Sequence, residues 1–79
     1  MSNLEKYIEA FVNSLVVSKD QVNENLSYQG VENWDSVGHM SLIGELEDTF
    51  DIMFDTDDII DFNSYSKGIE ILKKYDVEM

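Results

Sequence analysis

Apolar residues spaced three or four positions apart are the feature that most restricts what this chain can fold into. They occur in three stretches: Leu4, Ile8, Phe11, Val12 and Leu15; Leu42, Ile43, Leu46 and Phe50, which share a face with His39; and Tyr65, Ile69, Leu72 and Tyr75. This spacing places an apolar stripe along one face of a helix, and the chain has no proline to interrupt such helices. The sequence therefore predicts an all-α protein.

We expect a four-helix bundle with three longer helices, one short helix and a long first connection. The helices are predicted at about residues 3–17, 36–50, 56–61 and 64–75, and the connection covers residues 18–35. A connection of this length inside one small domain needs anchoring. Four residues are expected to hold it against the helices: Leu26, Tyr28, Val31 and Trp34.

The helix starts carry recognisable capping residues. Ser2 followed three positions later by Glu5 is typical of a capping box for the first helix. Thr56 is expected to cap the third helix, and Asn63 or Ser64 the fourth.

The acidic charge of the chain narrows the kinds of partner it can have. The 79 residues, enough for one domain, include 17 acidic and 5 basic side chains, so the net charge is −12 at pH 7. Such a charge disfavours nucleic acid and anionic membrane surfaces, and favours basic protein partners. The absence of cysteine excludes disulfides and thiolate metal sites. The N-terminal residues lack a signal-peptide pattern and no apolar segment approaches membrane-spanning length, so we expect a cytoplasmic protein without a membrane span.

Asp35, Ser36 and His39 supply the residue types of a hydrolytic triad, but their spacing does not fit one. Adjacent helical residues point about 100° apart, and His39 belongs to the apolar face. Trp34 stands where the nucleophile-elbow pattern has glycine. We therefore predict no enzymatic activity and a structural role for His39. The aspartates from Asp51 onwards also fail the EF-hand spacing, so a solvated acidic face is favoured over cation binding, and no metal site is predicted.

Ser36 can instead be a site of attachment. If Asp35 caps the second helix, Ser36 lies in its first turn, where free N–H groups and the helix dipole favour an anion. A phosphate ester on Ser36 would lie in a favourable field. Serine is common at helix starts for reasons of capping alone, and the residues by themselves favour that simpler interpretation.

The segment "WDSVGHMSLIGELEDTFDI" resembles the Asp-Ser motif and second helix of acyl carrier proteins. The resemblance covers nearly the whole chain and implies a four-helix bundle of acyl-carrier type. It also implies that a phosphopantetheinyl transferase attaches 4′-phosphopantetheine from coenzyme A to Ser36. The thiol of this arm would carry acyl groups as thioesters to partner enzymes of fatty-acid, polyketide, lipid or surface-polysaccharide biosynthesis.

The resemblance also assigns expected roles to other residues. The partners would be acyl-transferring, condensing or ligase enzymes with basic docking patches, and the carrier would be a monomer. Residues expected to be recognised by partners are Asp35, Val37, Met40, Glu47, Asp48, Asp57 and Asp58. Residues expected in the core or around an acyl cavity are Leu42, Leu46, Phe50, Ile59, Phe62, Ile69 and Leu72.

Four positions depart from the usual pattern of the family. Gly38 and Ser41 stand where housekeeping fatty-acid carriers have acids, Gly44 replaces a larger apolar residue, and Trp34 precedes the Asp-Ser pair. These differences favour a specialised stand-alone carrier. Two alternatives stay open: an aminoacyl or peptidyl carrier, such as a D-alanyl carrier, and a non-covalent acidic helical interaction module in which Ser36 is incidental.

Overall fold

Four α-helices carry the fold in the computed structural model, which describes residues 2–79. They are α1 (Asn3–Leu15), α2 (Ser36–Phe50), α3 (Thr56–Asp61) and α4 (Tyr65–Lys74), and a short 3₁₀ turn, Lys19–Gln21, lies in the first connection. No β-strand occurs among residues 2–79, apart from one isolated bridge between Ser27 and Ser64. The predicted all-helical class is confirmed.

The end of α1 differs from the prediction, which extended this helix to residue 17. The helix stops at Leu15 because Val16 turns into the left-handed region, with a φ of 53°. The side-chain amide of Asn33 donates to the free carbonyl of Leu15 at 2.8 Å. The last residues of the long connection thus cap the first helix, and α1 ends beside the start of α2.

The other helix ends follow from their caps. Ser2 and Glu5 form the predicted capping box, and Ser64 caps α4 by accepting from the Lys67 N–H at 3.0 Å. The prediction for Thr56 is wrong, because Thr56 is the first residue of α3 and Asp55 holds the cap position. The Asp55 N–H donates to the Tyr75 hydroxyl at 2.9 Å, which fixes Asp55 in an extended conformation before the helix begins.

The core lies between α1, α2 and α4 and is rich in aromatic rings. Tyr7 is fully buried, donates its hydroxyl to the Tyr65 carbonyl at 2.6 Å, and has its pKa raised by burial. Gly68 allows α4 to approach this hydroxyl, because an added Cβ there would lie 2.2 Å from it. The largest fully buried side chains are Trp34, Tyr7, Phe11, Phe62, Leu15, Leu42, Leu46 and Leu72.

The long connection is fixed to the junction of α3 and α4 by two backbone hydrogen bonds. The Tyr28 N–H donates to the Asn63 carbonyl at 2.8 Å, and the Tyr65 N–H donates to the Leu26 carbonyl at 2.9 Å. Leu26 and Trp34 are buried, and Tyr28 and Val31 pack against the core. The predicted anchoring of the connection is therefore confirmed, and Tyr28 is brought near the start of α2.

The two glycines of α2 have opposite surroundings. A Cβ at Gly38 would lie 1.9 Å from the Asn33 carbonyl oxygen and 3.1 Å from a methyl of Leu15, whereas a Cβ at Gly44 would meet nothing within 4 Å. Gly38 therefore allows α2 to begin tightly against the end of the connection. Gly44 has no such function and only weakens the helix.

Alanine at these two positions is expected to change stability in opposite directions. Gly44→Ala should raise the free energy of unfolding by about 1 kcal/mol through helix propensity, which for a small domain is about 4–8 °C in Tm. Gly38→Ala should lower it by about 1–3 kcal/mol, because the connection must move away. Thermal unfolding followed by circular dichroism measures both, and equal Tm values for the two variants would contradict the packing described for Gly38.

Candidate functional site

Ser36 is exposed at the first position of the 15-residue helix α2. Asp35 caps this helix, which was the condition in the sequence interpretation of Ser36, and one of its carboxylate oxygens accepts the Gly38 N–H at 2.9 Å. Among residues 2–79, the N–H groups of Ser36 and Val37 have no hydrogen-bond acceptor. The Ser36 hydroxyl therefore lies beside free donors at the positive end of the helix dipole.

Tyr28 is a polar neighbour of Ser36, with its hydroxyl 3.4 Å from Ser36 Oγ. Sequence reasoning gave Tyr28 only an anchoring role and missed its place in the site. The two residues are eight positions apart, and no helical or strand periodicity links them. The backbone bonds that fix the connection to the α3–α4 junction bring them together.

An open groove of about 330 Å³ begins at Ser36 and runs between α2 and α3. We call it the α2–α3 groove. Its apolar lining comes from Met40 on α2 and from Ile59, Ile60 and Phe62 on or next to α3, and His39 lines it as well. Met40 and Ile60 are largely exposed, at 60% and 71%, and form its edges, whereas Phe62 is 1% exposed and lies at its base.

His39 connects three parts of the molecule. Its Nδ1 accepts the indole N–H of Trp34 at 3.0 Å, and its Nε2 lies 2.8 Å from the Ile59 carbonyl oxygen. Because an indole N–H can only donate, Nδ1 is the acceptor and Nε2 carries the proton in this arrangement. Both ring nitrogens are therefore engaged, which confirms the predicted structural role and leaves no imidazole nitrogen free to act as a base on Ser36.

The residues expected to be recognised by partners do not all lie on the surface. Asp35, Val37, Met40, Asp48 and Asp57 are exposed, with Val37 at 76%. Glu47 is half-buried, and its carboxylate accepts the Phe54 N–H at 2.9 Å. This bond closes the turn after α2, so the Glu47 side chain has a structural function.

Asp58 was expected to be an exposed recognition residue, but it is buried. Its side chain is only 8% exposed and forms an ion pair with Lys74 at 2.6 Å, and the Tyr75 hydroxyl donates to its other carboxylate oxygen. The hydrogen bonds from Lys74 and Tyr75 hold the pKa of Asp58 below its usual range, and the bond from Lys74 has the larger effect. Asp58 therefore attaches α3 to the end of α4.

Of the seven residues expected in the core or around a cavity, only Ile59 and Phe62 line the α2–α3 groove. Leu42, Leu46 and Leu72 are fully buried in the core. Phe50 and Ile69 are partly buried and pack against it. The periodic pattern found apolar positions but did not separate groove residues from core residues.

Two kinds of feature are not found in residues 2–79. No helix there is long and apolar enough to cross a bilayer. No group of three or more His, Cys, Asp or Glu side chains is arranged to hold a metal ion, which includes the aspartates around α3.

The Asp58 interactions predict a pH-dependent effect on stability. Because the pKa is lowered in the folded protein, Asp58 stabilises the fold above the pKa it has when unfolded, and this contribution is lost as the pH falls through the folded pKa. Asp58→Asn should therefore lower Tm at neutral pH, and the difference from wild type should shrink in acid.

Asp57, the exposed neighbour of Asp58, provides a matched control for this experiment. Asp57→Asn removes the same charge from the first turn of α3 without breaking a hydrogen bond or an ion pair, so it should lose only the ~0.3–1 kcal/mol that the helix dipole contributes, and its Tm at neutral pH should fall less than that of Asp58→Asn. Melting curves from pH 7 down to pH 2 test both variants. Equal behaviour of the two would mean that the ion pair with Lys74 does not stabilise the fold.

The three comparisons with known proteins returned no match: no family model, no curated protein and no solved structure is similar to this chain at the threshold applied. The residues and geometry around Ser36, and the sequence pattern that contains it, are therefore the features that bear on function.

Proposed function

We propose that the protein is an acyl carrier in which Ser36 is modified with 4′-phosphopantetheine from coenzyme A. The observation that carries this proposal is the exposed Ser36 hydroxyl at the start of α2, on the edge of an apolar groove. The similarity of residues 34–52 to the Asp-Ser motif of acyl carrier proteins supports it. The proposed cargo is an acyl group in fatty-acid, polyketide, lipid or surface-polysaccharide biosynthesis.

The residues around Ser36 fit a phosphodiester at this oxygen. The free N–H groups of Ser36 and Val37 would face the negative charge, and helix N-termini bind phosphate for this reason. The Tyr28 hydroxyl, 3.4 Å from Ser36 Oγ, would offer a further donor. The arm would supply a thiol, on which acyl groups are carried as thioesters.

Residues 2–79 hold no arrangement that would activate Ser36 by itself. The Asp35 carboxylate caps α2, and both nitrogens of His39 are bonded elsewhere. General base catalysis needs a free basic atom within hydrogen-bond reach of the proton that is removed. We therefore assign the modification to a separate phosphopantetheinyl transferase and no catalytic step to this chain.

The exposed face of α2 has the character of a docking surface. Val37 and Met40 present apolar side chains, and Asp48 and Asp57 add negative charges that no side-chain bond holds among residues 2–79. The exposed Asp35 adds another charge, although one of its carboxylate oxygens caps α2. Opposite charges speed encounter and orient the partner. Basic patches on acyl-transferring, condensing or ligase enzymes would complement this surface, and a monomeric carrier would leave it open.

The modification itself can be measured directly. Incubation with coenzyme A and a broad-specificity transferase should add one phosphopantetheine to the wild-type protein, and peptide mass spectrometry should locate it at Ser36. Ser36→Ala should stay unmodified. Ser41→Ala removes another exposed hydroxyl of α2 and should be modified as fast as wild type.

Two results would contradict the carrier proposal. One is a wild-type protein that stays unmodified with several active transferases, and the other is a label on a residue other than Ser36. Either result would favour the non-covalent interaction module. An intact-mass measurement of the protein from its own host also distinguishes the carrier from the interaction module, because only the carrier would bear the phosphopantetheine.

Charge reversal at Asp48 should slow the transfer from coenzyme A several-fold through weaker encounter with a basic transferase. Lysine suits this position, close to the C-terminal end of α2, so the fold should be retained. Glu70→Lys makes the same charge change on the exposed surface of α4 and serves as the control. Steady-state kinetics at low and high salt should separate the two variants, and equal rates for them would remove α2 from the docking surface.

A further inference from the structure

We infer that His39 closes the inner end of the α2–α3 groove and restricts the sheltered cargo to a short acyl chain, of about hexanoyl length or less. This inference rests on the proposed function, because the cargo is taken to be attached through Ser36. It adds a substrate class and a specificity-determining residue to that function.

The size of the groove sets the first limit. Its volume of about 330 Å³ is at the low end of the range for small-molecule pockets. At the ~30 Å³ that a water molecule occupies in the liquid, it has room for roughly ten atoms of similar size. The thioester carbon, oxygen and sulfur take part of this room, so only a few carbons of the chain remain to be covered.

The rigid inner wall sets the second limit. The wall consists of the His39 ring and Phe62, whose centroids are 6.0 Å apart. Behind it, Trp34 is fully buried and lies edge to edge with His39, joined by the indole N–H to Nδ1 bond, with the two ring planes 21° apart. Trp34 belongs to the buried core together with Leu42 and Leu46, which are fully buried as well.

A longer chain has no route inward that keeps the present contacts. It would have to displace His39 and break its bonds to Trp34 and to the Ile59 carbonyl. The buried indole N–H of Trp34 would then lose its acceptor, which is costly in a place that water does not reach. The carbons beyond the wall would instead stay at the exposed edges formed by Met40 and Ile60.

The chain-length dependence of stability tests this inference. A transferase can load Ser36 with acetyl, butyryl, hexanoyl, octanoyl and dodecanoyl forms of the arm from the corresponding coenzyme A thioesters. A chain that binds the folded state and not the unfolded state raises Tm. For wild type we expect Tm to rise up to hexanoyl and to rise no further with octanoyl and dodecanoyl.

Variants of His39 should move this limit. His39→Ala should let Tm rise further from hexanoyl to octanoyl, because the wall is open. His39→Gln retains a donor and an acceptor in a flexible side chain, and it provides a second variant if His39→Ala folds poorly; it should show a smaller shift. Ile60→Ala alters the edge of the groove only, so its limit should stay at hexanoyl.

Trp34, the single tryptophan of the chain, gives a readout that a general loss of stability would not imitate. In wild type its fluorescence should be the same for all loaded chains, because none passes His39 to reach Trp34. In His39→Ala, octanoyl should shift the emission and acetyl should not.

The outcomes separate the inference from the function on which it rests. Failure to label Ser36 would overturn both. If labelling succeeds, three results would overturn the inference alone. In wild type, Tm could rise steadily to dodecanoyl, or no chain could raise Tm. The third result is a chain-length limit that is unchanged in both His39 variants. A limit at hexanoyl that moves only in the His39 variants would support it.

Discussion

The hydrogen bonds of His39 to Trp34 and Ile59 are the interaction on which the arrangement of the site depends. They join the end of the long connection, helix α2 and helix α3. Helix α3 has only six residues, too few to be stable alone, so its position relies on such contacts. Because His39 also lines the α2–α3 groove, the same side chain that positions α3 sets the shape of the apolar surface beside Ser36.

Asn33 makes two contacts that position the start of α2. Its side chain caps α1, and its carbonyl oxygen lies so close to position 38 that only glycine fits there. Asp35 then caps α2, which leaves Ser36 on the surface with free N–H groups at its side. Gly38 thus has a packing reason, because a side chain there would meet the Asn33 carbonyl oxygen.

The acidic residues divide into structural and free groups. Asp35, Glu47 and Asp58 each accept hydrogen bonds that fix a helix start, a turn or a helix pair. Asp48 and Asp57 are exposed, and no side-chain bond holds them in the part of the chain described, residues 2–79. The net charge of −12 is therefore larger than the charge available to attract a partner, because several of these carboxylates stabilise the fold.

The sequence by itself left the cap of α4 open between Asn63 and Ser64, but it determined the all-helical class, the position of α2, the Ser2 capping box and the anchoring role of Trp34. These follow from local spacing and local hydrogen bonds, which a pattern of residue types records. Only the tertiary structure decided that Tyr28 lies beside Ser36, that His39 is held between Trp34 and Ile59, and that Asp58 is buried against Lys74. Each of these contacts pairs polar groups from separate segments, and periodicity reports which residues face a core but not which distant atom satisfies each donor and acceptor.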